Sequence, residues 1–129
     1  MRILLDTHIL LWALAEPAKL PARARALLED ETNGVLFSAV SIWEIAIKAQ
    51  QSGRVDFPVS PDGIAAAAGQ TGFIELPVCA KHAAAVRFLP LHHRDPFDRL
   101  LVAQAITEPA RLLTVDAALG CYSELVEML

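Results

Sequence analysis

Short apolar runs alternate with longer stretches of helical character along the whole chain. The first run, residues 3–5, stops abruptly at Asp6, and a second occupies residues 35–37, while residues 73–76 and 112–115 are predicted to form two further strands. Such runs are typical of strands that are buried on both faces, as in a parallel sheet. The stretches between them place apolar residues on one face at helical spacing. The sequence therefore predicts an α/β fold with a central parallel sheet, helices on both faces and a weakly patterned last strand around residues 125–128.

The composition indicates one folded domain over residues 1–129, because 54% of the residues are hydrophobic and 20% are charged. A net charge of −4 argues against a protein that coats nucleic acid or an anionic membrane, although not against a nuclease whose acids hold a metal. Two cysteines are too few for a disulfide framework. Asp6, Thr7 and His8 interrupt the apolar N-terminal stretch, which is therefore not expected to be a signal peptide. We expect a cytoplasmic protein without a membrane segment.

Four acidic residues are expected to meet at one edge of this sheet. Asp6 and Asp116 follow the first and fourth strands, Glu44 lies in the helix after the second strand, and Asp98 lies in the first turn of the helix before the fourth. Open α/β sheets bind ligands just beyond the carboxyl ends of their strands. The topology therefore predicts a shared acidic site.

Each of these acids, taken alone, also has a structural explanation. Asp6 and Asp116 stand where a helix begins, and aspartate is a favoured N-cap. Ser41 and Glu44 have the spacing of a capping box. Asp95 is expected to be mainly the N-cap of the helix that starts at Pro96, where the helix dipole also favours an acid in the first turn.

Four converging carboxylates nevertheless require a positive partner. Two carboxylates about 4 Å apart repel by roughly 4 kcal/mol at an effective dielectric constant of 20. A divalent cation removes this conflict, and carboxylate oxygens suit Mg²⁺ or Mn²⁺ rather than zinc. Leaving out these four of the 15 acidic residues makes the acidic and basic counts equal at 11, so the surplus negative charge would lie in the site. We predict a metal site built from Asp6, Glu44, Asp98 and Asp116.

Four segments of the chain resemble, in order and spacing, the motifs of PIN-domain toxins of the VapC type. They are residues 4–12 (LLDTHILLW), 38–48 (SAVSIWEIAIK), 93–105 (HRDPFDRLLVAQA) and 112–116 (LLTVD). The resemblance implies a three-layer α/β/α fold with strand order 3-2-1-4-5 and a Mg²⁺- or Mn²⁺-dependent endoribonuclease. It places the acidic quartet of the family on Asp6, Glu44, Asp98 and Asp116, with Thr114 as a polar neighbour.

The resemblance also implies partners. The substrate would be RNA, the chain would form a homodimer, and a small VapB-like antitoxin would cover the acidic cleft. Any DNA binding would belong to that antitoxin, since nothing in this chain resembles a basic recognition helix. The expected mechanism assigns Asp6, Asp98 and Asp116 to a metal that activates water, while Glu44 holds a second ion or orients the attacking water.

Several residues near the motifs are candidates for supporting roles. Thr7, Ser41 and Thr114 can order the acids through hydrogen bonds, and capping of the local backbone is an equal alternative. His93 and Arg99 are candidate phosphate contacts, although a solvated loop explains them equally well.

Arg99 and His93 also allow other interpretations, and two tryptophans near the motifs have to be considered with them. Arg99 can instead pair with a site carboxylate and position it. His93 as a zinc ligand or catalytic base is disfavoured, because it has no cysteine at ligand spacing and no partnered serine. Trp12 and Trp43 are expected to pack in the core rather than to stack on bases.

Three rival functions share parts of this pattern. A phosphoacceptor module needs paired acids after the first strand and a late lysine, and the chain has no lysine beyond Lys81. A phosphatase with an Asp-x-Asp motif is disfavoured by His8 at the second acidic position. The third rival is a PIN fold kept as a binding scaffold with a silent site, and RNA cleavage with and without a chelator separates it from the enzyme.

Overall fold

Five short parallel strands form the centre of the computed structural model, which describes residues 1–52, 60–91 and 95–129. The strands are β1 (Arg2–Leu5), β2 (Gly34–Ser38), β3 (Ile74–Leu76), β4 (Arg111–Thr114) and β5 (Val126–Met128). Their order across the sheet is β3-β2-β1-β4-β5, and all neighbours pair in parallel. The predicted strand order is confirmed. The prediction that the last residues of the chain form an edge strand is also confirmed, since β5 lies at the edge of the sheet.

Helices flank this sheet on both faces. The α-helices of the described ranges are α1 (Thr7–Ala15), α2 (Ala22–Glu29), α3 (Ala39–Ser52), α4 (Pro61–Thr71), α5 (Ala80–Ala85) and α6 (Pro96–Thr107). Short 3-10 turns follow at Pro17–Lys19, Val86–Phe88 and Ala117–Cys121. None of the helices in these ranges has the length and apolarity that crossing a membrane requires.

Alternation along the strands creates two separate cores. Ile3 and Leu5 of β1 point into one core, which contains residues of α1, α2, α3 and α4. Leu4 points into the other core, which α6 covers together with Val40 and Leu119. Successive side chains of a strand face opposite sides of the sheet, so a continuous apolar run supplies both cores at once. This explains why β1 and β2, at the centre of the sheet, show no polar alternation.

The strand order reverses between β1 and β4, and the carboxyl ends of both strands meet there. Asp6 follows β1 directly, and its backbone N–H donates to Leu113 O at 3.1 Å, which extends the ladder by one bond. β4 ends at Thr114, one residue earlier than predicted, because Val115 is already partly exposed. A crevice at such a reversal is the usual ligand position in open α/β sheets.

Candidate active site

A cleft of about 450 Å³ opens at the carboxyl edge of β1 and β4. Its lining includes the four acids that the sequence places in one site: Asp6, Glu44, Asp98 and Asp116. Asp95, His8, Trp12 and Lys48 line the same cleft. Side chains from α1, α3, α6 and the segment after β4 therefore face one space, although they are far apart in sequence.

Asp6 both caps a helix and faces the cleft. Its Oδ1 accepts a hydrogen bond from the Ile9 N–H at 2.8 Å, as an N-cap of α1 does. Burial raises the pKa of Asp6 above its ordinary value, and the negative charge of Glu44 acts in the same direction. Hydrogen bonds from Thr114 and Ile9 oppose that rise. Asp6 is thus a desolvated carboxylate that a nearby cation would stabilise.

Thr114 links two of the acids through its buried hydroxyl. Its Oγ1 accepts from the Asp116 N–H at 3.0 Å, and the same side chain hydrogen-bonds with Asp6. Asp116 in turn accepts from the Ala118 N–H at 3.0 Å and caps the turn that follows β4. The ends of β1 and β4 are therefore joined by a side chain as well as by the sheet.

Glu44 is buried and has a partner at each carboxylate oxygen. Thr7 Oγ1 donates to Oε1 at 2.7 Å, and Lys48 Nζ donates to Oε2 at 2.6 Å. Ser41 Oγ lies 3.0 Å from Thr7 Oγ1. Because α3 begins at Ala39, Ser41 is already inside the helix, and the capping-box explanation of Glu44 does not hold. Glu44 instead joins α3 to α1.

The start of α6 carries two acids with different surroundings. Asp95 Oδ1 accepts from the N–H groups of Phe97 and Asp98, at 2.9 and 3.3 Å, so its predicted role as N-cap is confirmed. Asp98 lies in the first turn of the helix. Both residues line the cleft, so α6 presents its acidic N-terminal turn to the site.

Arg99 is largely buried and donates to the segment before α6. Its guanidinium contacts the carbonyl oxygens of Pro90 at 2.8 Å and of Val86 and Leu89 at 3.3 Å, and Tyr122 Oη at 3.3 Å. These bonds fix the chain that leads into α6 and favour a structural role. His93, the other candidate for phosphate contact, lies outside the described residues.

Trp43 is 53% exposed, so the prediction that it packs in the core is wrong. Its ring meets the edge of Phe97, with 4.9 Å between the ring centroids. Trp12 is partly buried and packs against the core that contains Ile3. Sequence reasoning also missed Lys48 as a cleft residue, although its position four residues after Glu44 on one helix is a signal for an ion pair.

The chemistry of the acidic residues suits a hard divalent cation. The candidate ligands are carboxylates, which Mg²⁺ and Mn²⁺ prefer, and one of them is buried with a raised pKa. Within the described ranges, no three acidic, histidine or cysteine side chains are close enough to form a ready-made metal cluster. Binding an ion would therefore require side-chain adjustment inside the cleft.

Comparison with known proteins identifies the fold. The family model of the PIN domain matches residues 3–123, nearly the whole chain. The chain belongs to the PIN domain family. Among solved structures it is similar to VapBC2 from Rickettsia felis bound to a DNA fragment from their promoter, with 15% sequence identity and a TM-score of 0.68. That match covers 100% of this chain and 98% of the other. No curated protein sequence matches the chain.

PIN domains are nuclease domains, and the family match covers the four acids and Thr114. Of the residues that the sequence proposes for the site, the structure brings Asp6, Thr7, Glu44, Asp98 and Asp116 to the lining of one cleft. Ser41 and Thr114 lie directly behind that lining, in contact with Thr7 and Asp6.

Proposed function

We propose that this PIN domain is a metal-dependent endoribonuclease. The supporting observation is the convergence of four carboxylates from separate parts of the chain in one cleft at the reversal of strand order. One buried carboxylate has many structural explanations, whereas four that share a cleft need a compensating cation. Hydrolysis of a phosphodiester is the chemistry that acidic residues with Mg²⁺ or Mn²⁺ perform.

Each acid has a role that follows from its surroundings. Asp6, Asp98 and Asp116 would hold the divalent ion. When bound, such an ion would make hydroxide available at neutral pH, and its positive charge would stabilise the negative charge of the phosphate. Glu44 lies beside Asp6 and is fixed by Thr7 and Lys48, so its carboxylate can orient the attacking water. Each of its oxygens keeps a second lone pair for that contact. Thr114 fixes Asp6 and Asp116 relative to each other.

Cleavage of a mixed RNA pool tests the enzymatic proposal. We expect cleavage with Mg²⁺ or Mn²⁺ that stops on addition of a chelator. Asp6→Asn should lower the rate by about 100-fold or more, because the amide keeps the helix cap and loses the charge that holds the ion. Asp62→Asn is the matched control, since Asp62 is an exposed aspartate in the first turn of α4. Undiminished cleavage by Asp6→Asn, or in the presence of a chelator, would contradict the proposal. A folded protein without any cleavage would favour a binding scaffold with a silent site.

We further propose that the chain is the toxin of a toxin–antitoxin pair and acts in the cytoplasm as a homodimer. The fold shared with VapBC2 supports a VapB-like partner for this chain. The cleft carries five acids, so a Lys or Arg side chain of such a partner would block it with favourable charge. Phe88 and Leu91 are 73% and 82% exposed and offer apolar surface to a second chain.

Expression in cells tests the toxin proposal separately. Expression alone should arrest growth, and co-expression of the neighbouring open reading frame should relieve the arrest. Asp98→Asn should cause no arrest, because it removes one of the proposed ligands. Arrest by Asp98→Asn as strong as by the unaltered chain would show that toxicity does not depend on the site. Absence of arrest would contradict the toxin role and leave the nuclease proposal to the assay on RNA.

A further inference from the structure

Lys48 places a fixed positive charge inside the acidic cleft. It lies one helical turn after Glu44 on α3, and its Nζ is 2.6 Å from Glu44 Oε2. The two partners differ in exposure, since 4% of the Glu44 side chain is exposed and 53% of the Lys48 side chain. Among the described residues that line the cleft, Lys48 is the one with a permanent positive charge.

Glu44 is already satisfied by protein groups on both sides. Thr7 occupies Oε1 and Lys48 occupies Oε2, so the strongest charge contact of this carboxylate is an ammonium. A metal ion on this side of the cleft would lie next to the ammonium of Lys48, and the two positive charges would repel each other. Asp6, Asp98 and Asp116 reach the cleft from the N-cap of α1, from α6 and from the segment after β4.

The ammonium is held in its charged form. The hydrogen bond to Glu44 raises the pKa of Lys48, partial burial of the amine opposes that rise, and the charges of Glu44, Asp95 and Asp98 add to it. Lys48 therefore faces acids on α6 as well as the acid on its own helix. A two-metal site holds two cations about 4 Å apart, and here an ammonium supplies one positive charge to the acidic cleft that could otherwise take a second ion.

We propose that Lys48 replaces a second metal ion in this site: its ammonium holds Glu44, and the cleft takes a single divalent cation on the side of Asp6, Asp98 and Asp116. Lys48 is thus a positioning residue for Glu44. About half of its side chain is exposed, and its ammonium also supplies positive charge for the substrate phosphate. This inference rests on the proposed nuclease function and narrows it to a one-metal site.

Counting bound Mn²⁺ per chain tests this inference without any cleavage. Isothermal titration or electron paramagnetic resonance of the unaltered protein should give one ion. Lys48→Met should give two, because it frees the Glu44 carboxylate for a second ion, and Lys48→Arg should give one because the positive charge remains. Lys19→Met is the matched control: Lys19 forms an exposed ion pair with Glu16 at 2.9 Å, away from the cleft. Circular dichroism verifies that Lys48→Met is folded, which the exposure of the side chain favours.

The dependence of cleavage on Mg²⁺ gives a second readout. At low Mg²⁺ the Lys48→Met variant should cleave RNA on the order of tenfold more slowly, and high Mg²⁺ should restore much of the rate with a steeper dependence on concentration. Two ions in the unaltered protein, or one ion and an unchanged Mg²⁺ dependence in Lys48→Met, would overturn the inference while leaving the nuclease proposal intact. Absence of Mn²⁺ binding would overturn both. Binding without cleavage would refute the nuclease alone, and the ion count would still decide the role of Lys48.

Discussion

Asp6 carries a charge that the folded chain, without an ion, accommodates poorly. It is buried between apolar residues of β1 and α1, and its pKa is raised above the ordinary value of 3.8 by that burial and by Glu44. A raised pKa means that the folded state binds the proton more tightly than the unfolded state does. The stabilisation is therefore present below pH 3.8 and is lost as the pH rises through the folded pKa. At neutral pH the ionised group weakens the ion-free fold.

Asp6→Asn should consequently increase the stability of the metal-free protein at neutral pH while it removes activity. The neutral side chain keeps the acceptor for Ile9 N–H and no longer carries a desolvated charge. Thermal unfolding in the presence of a chelator should show a melting temperature a few degrees higher at pH 7 than that of the unaltered protein. The gain should shrink as the pH falls through the raised pKa of Asp6, where the folded protein takes up the proton.

The exposed Asp62→Asn variant is the control for this comparison and should show no such gain. A lower melting temperature for Asp6→Asn at pH 7 would mean that the negative charge of Asp6 stabilises the fold. Asp6 would then be a structural cap rather than a ligand position kept at a cost in stability.

The two central strands could be predicted because strands buried on both faces appear as short continuous apolar runs. Residues 3–5 and 35–37 are continuous apolar runs, and the structure places them in β1 and β2 at the centre of the sheet. The convergence of Asp6 and Asp116 followed from the same pattern, because parallel strands end at one edge. Strand order came from the resemblance to PIN domains rather than from the pattern itself.

The first residue of α3 and the exposure of its side chains could not be predicted with the same accuracy. Ser38 and Ser41 are both acceptable caps for α3, and the structure shows Ser38 Oγ accepting from the Val40 N–H, so the helix begins before Ser41. That choice decides the surroundings of Glu44, because Ser41 then lies inside the helix and does not cap it. The exposure of Trp43 could not be predicted, because periodicity does not report which face of a helix a neighbouring element covers.

The hydrogen-bond partners of Glu44 and Arg99 could not be predicted, because they lie in other segments of the chain. The bonds of Glu44 to Thr7 and of Arg99 to Val86 and Pro90 join residues whose approach depends on the completed fold. Sequence spacing indicates that Arg99 is close to Asp98, but it does not show that backbone carbonyls surround the guanidinium. Local propensity determines an element, and tertiary contacts determine what each polar side chain does there.

At the scale of the whole molecule, a second polar network around Glu108 lies at the opposite end of the sheet from the acidic cleft. Glu108 caps the C-terminal end of α6, opposite the turn that contains Asp98. Its carboxylate accepts from His82 Nε2 at 2.6 Å and pairs with Arg2 at 3.3 Å and Lys81 at 3.4 Å. The network thus ties β1 and α5 to α6, whose other end forms part of the cleft.

The His82 ring is oriented for this contact by its other nitrogen. The Cys79 N–H donates to Nδ1 at 3.1 Å, which leaves the ring proton on Nε2 to be donated to Glu108. This hydrogen bond, with further contacts from Arg2 and Lys81, lowers the pKa of Glu108 to about 2. The ionised carboxylate is therefore part of the folded state over the whole neutral range.

Glu108→Gln should make the domain less stable at neutral pH and equally stable in acid. Because the folded pKa of about 2 is below the ordinary value of 4.5, the stabilisation is present above pH 4.5 and is lost as the pH falls toward 2. Loss of the charge should lower the free energy of unfolding by roughly 1–2 kcal/mol at pH 7. Urea unfolding at pH 7, 5, 4 and 3, as approximate steps across this window, should show the difference shrinking below about pH 4.5, whereas the exposed control Glu31→Gln should change little. A deficit that stays constant with pH would attribute the effect to packing instead of charge. The site should keep its Mn²⁺ stoichiometry in Glu108→Gln, since Arg99 still holds the first turn of α6 to Pro90 and Tyr122.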